Sequence, residues 1–310
     1  MATASPTVPA VVVRRSLAGQ GADWRGLVFQ GLLLLCVVIT LLFLFVLLAD
    51  VFSRAVPVFA ERGGGFLSSS LSSSADRSGV IQGLFGSFVI AIIVVVVAFP
   101  IGIMTAIYLE EYAPDTRLTQ LISINIRNLA GVPSVVYGLL GLAVFVQLLA
   151  PLTGGRSMIA GGLTLAVLVL PIVIITSAES LRAVPLALRE AGYGIGASRW
   201  EVTRSLVVPS AAPGILTGTV LSLSRALGET APLIVVGAVS GYFSTGDAST
   251  VDQLFGRFTA LPMIVFNWAR EPQQSAFGPL TAAAIVVLLL VTLSINAFAI
   301  LLRNRFEKNW

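Results

Sequence analysis

The chain has 310 residues, of which 56% are hydrophobic and only 11% are charged, with a formal net charge of +4. Because soluble domains are about 25% charged, this composition indicates a polytopic membrane protein. The chain has no histidine, one cysteine and one lysine at position 308, which excludes a G-K-[ST] phosphate loop, histidine catalysis, His/Cys zinc sites and an intrachain disulfide.

Six apolar runs approach or exceed the roughly 20 residues that a helix needs to cross a bilayer core. The predicted spans are Val28–Ala49, Ser87–Leu109, Pro133–Leu149, Met158–Ala178, Gly214–Val239 and Pro279–Leu302. The first run is longer than the apolar core of a secretory signal, so we predict an uncleaved span. Residues 1–27 would then form an N-terminal tail, and residues 28–310 an all-α integral membrane domain.

The basic residues predict the orientation of these spans. With the N-terminus in the cytoplasm, inside segments hold twelve of the nineteen basic residues and outside segments hold six, while Arg225 lies within a span. The positive-inside rule therefore predicts a multi-pass protein of the plasma membrane, surrounded by lipid, with both termini cytoplasmic.

The long outer connection, about residues 240–278, contains the apolar stretch "DQLFGRFTALPMIVFNWA". It is compatible with a short helix against the outer mouth of the bundle. It is equally compatible with an amphipathic interfacial hairpin that has aromatic anchors.

The long inner connection reads "PLALREAGYGIGASRWEVTRSLVVPSAAPG". Pro185 suits the first turn of a helix, and we expect that helix to reach about Tyr193. Glycines at 192, 194 and 196 favour a turn, and a second helix should run up to Pro209. A basic helix–turn–helix of this kind could dock into a groove of a soluble partner or lie on the membrane surface.

Residues 185–209 are here named the coupling segment. The spacing of their motif residues resembles that of the cytoplasmic coupling loop of ABC-importer permeases. That pattern is E-A-A, three residues, G, nine residues, I, one residue, L-P. The matching positions are Glu190, Ala191, Gly192, Gly196, Leu206, Val208 and Pro209. Gly192, Leu206 and Val208 depart from the pattern, each with a side chain of similar or smaller bulk.

Three further stretches resemble the PstA-type permeases of the bacterial phosphate importer. They are "NLAGVPSVVYGLLGLAVF" from Asn128, "RALGETAPLIVVG" from Arg225 and "LPMIVFNWA" from Leu261. The resemblance extends from about Glu110 to the C-terminus.

This resemblance implies a six-span type I ABC-importer permease fold with a cytoplasmic coupling helix. It implies three kinds of partner, namely a sister permease of the PstC type, a dimer of ATP-binding subunits and an extracytoplasmic phosphate-binding protein, and no nucleic acid. The chain itself would be no enzyme and hold no cofactor or metal, because ATP and Mg²⁺ would bind the ATPase subunits.

Two charges in the fifth predicted span mark a candidate substrate pathway. Arg225 lies about 15 Å along a helix from Ile215, which places it near mid-membrane, where charged residues usually face a bundle interior or an aqueous cavity. Glu229, four residues on, should share its helix face. The pair could simply hold helices together. In the hypothesis we favour, Arg225 contacts the oxyanion and Glu229 limits its attraction, so that the anion can leave.

Several weaker expectations accompany these. Glu110 and Glu111 could pair with Arg117 or Arg127. The prolines in predicted spans are expected to kink their helices; they are Pro100, Pro171 and Pro232. Tyr137 and Asn128 could line the pathway or hold helices together.

Other functions remain open from the residues alone. A sulfate or molybdate permease is the nearest alternative within the family. A stand-alone secondary anion transporter would be expected to show internal repeats, and none is evident. A membrane-embedded enzyme would need a Glu/Arg/Ser cluster that the sequence does not show.

Overall fold

The computed structural model describes residues 24–239 and 250–306, and every regular element within these ranges is helical. The helices are α1 Trp24–Arg62, α2 Gly64–Ser68, α3 Ile81–Ile107, α4 Arg117–Ala130, α5 Ser134–Gly141, α6 Ala150–Thr153, α7 Met158–Arg182, α8 Leu186–Gly194, α9 Arg199–Val202, α10 Val208–Gly228, α11 Ala231–Val236, α12 Thr250–Phe255, α13 Leu261–Trp268 and α14 Gln274–Phe306. There are also three π-helical segments. One extends α3 over Tyr108–Tyr112, one extends α5 over Leu142–Leu148, and one joins α9 to α10 over Thr203–Val207.

Five described helices are long and apolar enough to cross a membrane. They are Trp24–Arg62, Ile81–Tyr112, Met158–Arg182, Arg199–Gly228 and Gln274–Leu301. A sixth span exists if the bent pair Arg117–Ala130 and Ser134–Leu148 is counted as one. The predicted all-helical membrane fold is confirmed, and its six-span count is consistent with these helices.

The third predicted span differs most from the prediction. It is only the second arm of the bent pair, whose two helices meet at 102°. Pro133 explains the bend, because proline has no backbone N–H to continue a helix and disfavours helical geometry in the residue before it. The first arm, α4, is amphipathic, and most of its apolar side chains are exposed in the single chain.

The chain divides into two compact units, residues 1–51 and residues 52–310. In the first unit, the described residues 24–51 are the beginning of α1, and nearly all of their side chains are exposed. Helix α1 begins at Trp24, three residues before the predicted end of the N-terminal tail, and the rest of that tail lies outside the described residues.

Helix α7 is the centre of the second unit. Two-thirds of its most apolar window is buried, and it packs along both α3 and α10. Leu165 and Val169 of α7 share one apolar cluster with Val94 of α3 and Leu223 of α10. Glycines of α3 and α10 permit the close approach, since a Cβ on Gly102 or on Gly218 would overlap side chains of α7.

The described part of the outer connection contains two short helices, α12 and α13, before α14 begins. Helix α13 carries the apolar stretch from Leu261. None of its eight side chains is exposed, and the Leu261 backbone N–H donates to Ser87 Oγ near the start of α3 at 2.9 Å. Five of the eight side chains are buried and three are half-buried, so the structure contains the short helix of the first alternative.

Candidate functional site

The coupling segment begins with helix α8, which is followed by a tight turn. Gly196 has φ +83°, a conformation that glycine adopts without the steric cost borne by other residues. Ser198 then caps the next helix: its Oγ accepts from the Glu201 N–H at 3.3 Å, and its own N–H donates to Glu201 Oε2 at 2.7 Å. This capping box fixes where the chain becomes helical again.

The helix, turn and second helix are present, but the second helix is continuous with the fifth span, whereas the prediction ended it at Pro209 and began the span at Gly214. Helical residues run from Arg199 to Gly228. The π-helical segment Thr203–Val207 precedes Pro209, which is exposed near the N-terminus of α10. A widened turn avoids the clash that a proline ring makes with the preceding turn of a regular helix.

Two of the predicted coupling residues pack against each other. A Cβ placed on Gly192 would lie 2.8 Å from both Leu206 Cδ1 and Val202 Cγ2. Gly192 is buried within α8 rather than in the turn that follows, which corrects the predicted role of this glycine. It lets α8 lie directly against the start of the long helix.

The other face of the coupling segment is exposed. Glu190 and Ala191 are on the surface, and four large apolar side chains beside them are exposed by 44% to 87%. They are Leu186, Tyr193, Ile195 and Trp200. An exposed apolar patch of this kind marks a contact surface for another protein or for lipid.

Two glutamates at the end of α3 hold this region together, with partners that differ from the expected ones. Arg182 makes a bidentate pair with Glu110 at 2.7 and 2.6 Å, and Arg189 of α8 donates to Glu111 at 2.8 Å. The expected pairing with Arg117 or Arg127 is wrong, because an apolar cluster brings the ends of α3 and α7 and helix α8 together. The two adjacent carboxylates at the end of a helix indicated in the sequence that basic partners exist, but they did not indicate which arginines these are.

Arg225 lies in the last turn of α10, and its side chain is half-exposed in the single chain. Gly214 of the same helix packs against Ser180, two residues from the end of α7. Arg225 lies eleven residues further, about 16 Å along the axis. Its Nε lies 3.3 Å from Glu229 Oε1, and the side chains of the two residues are 48% and 18% exposed.

Glu229 does not continue the helix of Arg225, contrary to the predicted unbroken span to Val239. It ends α10 with extended geometry, φ −78° and ψ 118°, and α11 begins at Ala231. Pro232 therefore lies in the first turn of a new helix and does not kink an existing one. In a continuous helix it would leave the Gly228 carbonyl without a donor, so the break at this point is favoured.

Tight packing fixes the position of this break. A Cβ on Gly138 of α5 would lie 2.9 Å from Pro232 Cα, so α5 and α11 are in backbone contact. Tyr137, beside it, is buried and donates to the Leu129 carbonyl at 2.9 Å. The Ser224 hydroxyl of α10 donates a hydrogen bond to Asn296 Oδ1 of α14 at 2.5 Å. These contacts hold the residues on both sides of Arg225.

The described residues, 24–239 and 250–306, contain no group of three or more His, Cys, Asp or Glu side chains that could hold a metal ion. The chemistry available at Arg225 is that of a guanidinium beside a carboxylate, at a point where helical backbone is interrupted.

Comparison with known proteins places both parts of the site within one family. The family described as "Binding-protein-dependent transport system inner membrane component" matches residues 98–308. The phosphate transport system permease protein PstA 1 of Mycobacterium tuberculosis (strain H37Rv) is 36% identical over 225 residues, which are 73% of this chain and 70% of that protein. The corresponding PstA of Mycobacterium leprae is 37% identical over 222 residues, 71% of this chain and 69% of that protein.

A solved structure supports the fold. The crystal structure of a bacterial alginate ABC transporter, in complex with alginate pentasaccharide-bound periplasmic protein, includes a chain with TM-score 0.64 and 14% identity. The match covers 93% of this chain and 99% of that chain. The chain therefore belongs to the binding-protein-dependent transport system inner membrane components and, within them, to the PstA-type permeases.

Proposed function

We propose that this chain is a permease subunit of an ATP-driven phosphate importer, forming the membrane pathway together with a sister permease of the PstC type. The observation that carries this proposal is the half-exposed guanidinium of Arg225 beside a helix break. The Mycobacterium relatives indicate the substrate. Both are named as phosphate transport permeases, and the match to this chain covers more than two-thirds of each of them.

Arg225 has the chemistry that a phosphate pathway requires. Guanidinium presents a planar set of donors that suits phosphate oxygens, and it stays charged at all physiological pH values. Interrupted helices are a common way in which transporters expose polar groups to a substrate at mid-membrane depth. Glu229 competes for the same donors, which keeps the anion from being held too tightly to move on.

The coupling segment is the proposed contact for the ATP-binding subunits. Its exposed apolar side chains, with Glu190 among them, suit insertion into a groove of a soluble partner. In this assignment the partner ATPase dimer binds ATP and Mg²⁺, and an extracytoplasmic binding protein delivers phosphate at the opposite end of the bundle.

The orientation follows from placing the coupling segment in the cytoplasm. Helices α3 and α7 end beside it, as the Glu110–Arg182 pair demonstrates. Helix α14 starts after α13, which contacts the opposite end of α3, so the C-terminus would be cytoplasmic. The excess of arginine in the inside segments supports the same side for the N-terminus.

The test is transport by the complete complex in lipid vesicles. We expect phosphate, presented by its binding protein, to be taken up and to stimulate ATP hydrolysis, while sulfate and molybdate do neither. Uptake of sulfate or molybdate in place of phosphate would assign the chain to another oxyanion importer. Phosphate uptake by this chain without any ATPase subunit would instead indicate a secondary transporter.

A further inference from the structure

Three consecutive residues at the end of α3 each contact an arginine from a different later element. The contacting pairs are Glu110 with Arg182 of α7, Glu111 with Arg189 of α8 and Tyr112 with Arg199 of α9, whose guanidinium carbon lies 5.2 Å from the tyrosine ring centre. Two of these three arginines belong to the coupling segment. The end of α3 is therefore bound to the segment through side chains alone.

Arg189 is the most enclosed of these connections. Its Nη2 donates to Glu111 Oε1 and to the Leu181 carbonyl, both at 2.8 Å, and its Nη1 donates to the Val184 carbonyl at 2.7 Å. The side chains of Arg189 and Glu111 are only 16% and 6% exposed. Arg182 of the neighbouring pair is more exposed, at 50%, and its side chain donates its hydrogen bonds to Glu110.

Solvent exclusion makes this connection strong. Charge-assisted hydrogen bonds are roughly twice as strong as neutral ones, and a buried ion that loses its partner bears a large desolvation cost. Apolar packing surrounds it, since Leu188 of α8, Leu181 of α7 and Ala106 of α3 share one cluster. The guanidinium of Arg189 thus joins three elements at one point.

Chain connectivity indicates what the connection is for. The coupling segment is covalently continuous with α7 on one side and with α10 on the other. Helix α3 has no such continuity, because α4 to α7 separate it from the segment in sequence. A displacement of the segment can reach α3 only through non-covalent contacts.

We propose that Arg189 is a positioning residue that transmits movement of the coupling segment to α3 through Glu111. The inference rests on the proposed function, since it requires that ATP-binding subunits push on this segment. When they do, α3, α7 and α10 move together. The coupling segment connects α7 to α10 along the chain, and Arg189 joins α3 to that segment. Without Arg189, the ATPase subunits would still bind and hydrolyse ATP. Only the packing of α3 on α7 and the Glu110–Arg182 pair would then move α3, so α3 would lag behind the coupling segment.

The experiment measures phosphate taken up per ATP hydrolysed by the complete complex in vesicles. For Arg189→Met we expect an assembled complex that still hydrolyses ATP, with a ratio reduced at least tenfold. Arg189→Lys keeps the charge and three donors, so its ratio should recover to within about threefold of the wild type. Arg182→Met is the matched control, because it removes the neighbouring pair with Glu110 and no hydrogen bond made by α8. Its ratio should stay within about twofold of the wild type.

Other outcomes overturn the inference. A wild-type ratio for Arg189→Met would show that the connection transmits nothing, and an equal loss in Arg182→Met would show that position 189 has no special role. If neither the Met nor the Lys variant assembles, Arg189 is a folding residue only. A wrong substrate assignment is distinguishable, because the wild-type complex itself would then take up no phosphate.

Discussion

The Arg225 guanidinium and the Glu229 carboxylate, 3.3 Å apart, pair across the end of a helix. Arg225 occupies the last turn of α10, where unpaired carbonyls give the helix end a partial negative charge that favours a cation. Glu229 is the residue that leaves the helix. The pair therefore combines a charge stabilised by its own helix with a carboxylate on extended backbone.

Replacing Arg225 tests the pathway role directly. We expect Arg225→Ala and Arg225→Lys each to reduce phosphate uptake at least tenfold in an assembled complex. A hydrogen bond to a charged group contributes about 1.5–3 kcal/mol, and lysine lacks the planar fork that matches phosphate. The measurement is initial uptake in vesicles. The control is Arg77→Ala, which removes the same charge from an exposed connection. Near-normal uptake by the lysine variant would reduce Arg225 to a structural role.

Replacing Glu229 should separate binding from turnover. In Glu229→Gln the Arg225 charge is no longer neutralised by its neighbour, so the anion should be held more tightly and released more slowly. We expect a lower KM for phosphate together with a lower maximal rate, measured as uptake against phosphate concentration. Glu61→Gln, at an exposed position at the end of α1, should alter neither. A higher KM with an unchanged rate would contradict the moderating role of Glu229.

The turn of the coupling segment offers a matched pair of glycines. Gly196 has positive φ and open space where a Cβ would lie, whereas Gly194 is helical and equally open. Gly196→Ala should destabilise the segment by about 1–2 kcal/mol from backbone strain alone, while Gly194→Ala should be neutral or slightly stabilising. The assay is recovery of ATP-binding subunits on co-purification, with the thermal unfolding midpoint of each variant. Equal behaviour of the two variants would show that the turn geometry is unimportant.

The sequence predicted the elements that depend on local composition. Apolar runs located five of the long helices, and the glycine at 196 located the coupling turn. The end of α10 was missed because apolar residues continue from Ala231 to Val239, and hydropathy does not register an interruption between two apolar helices. The signal available was Pro232, whose missing N–H favours the start of a helix over its middle.

The arginine partners of Glu110 and Glu111 were unpredictable for a different reason. They lie 72 and 78 residues away in sequence, and only the packing of α3 against α7 and α8 selects them over the nearer Arg117 and Arg127. Long-range ion pairs depend on tertiary structure that no local pattern encodes. The charges themselves were still informative, because ionised side chains at the end of an apolar helix require partners.

The close contact between Gly192 and Leu206 provides a last test, of the packing inside the coupling segment. A Cβ at position 192 would overlap Leu206 and Val202, so Gly192→Ala should destabilise the chain by about 1–3 kcal/mol, the usual cost of overpacking. Shortening the neighbour gives room, so Gly192→Ala combined with Leu206→Ala should cost less than the two single changes added together.

A double-mutant cycle on the thermal unfolding of the purified chain measures this coupling. Gly194→Ala with Leu206→Ala is the matched control, because a Cβ at position 194 would meet nothing within 4 Å, and these two changes should be additive. If Gly192 and Leu206 also prove additive, then α8 does not lie against the start of the long helix as described. Its attachment would then depend on Arg189 and on the packing of Leu188 in the apolar cluster.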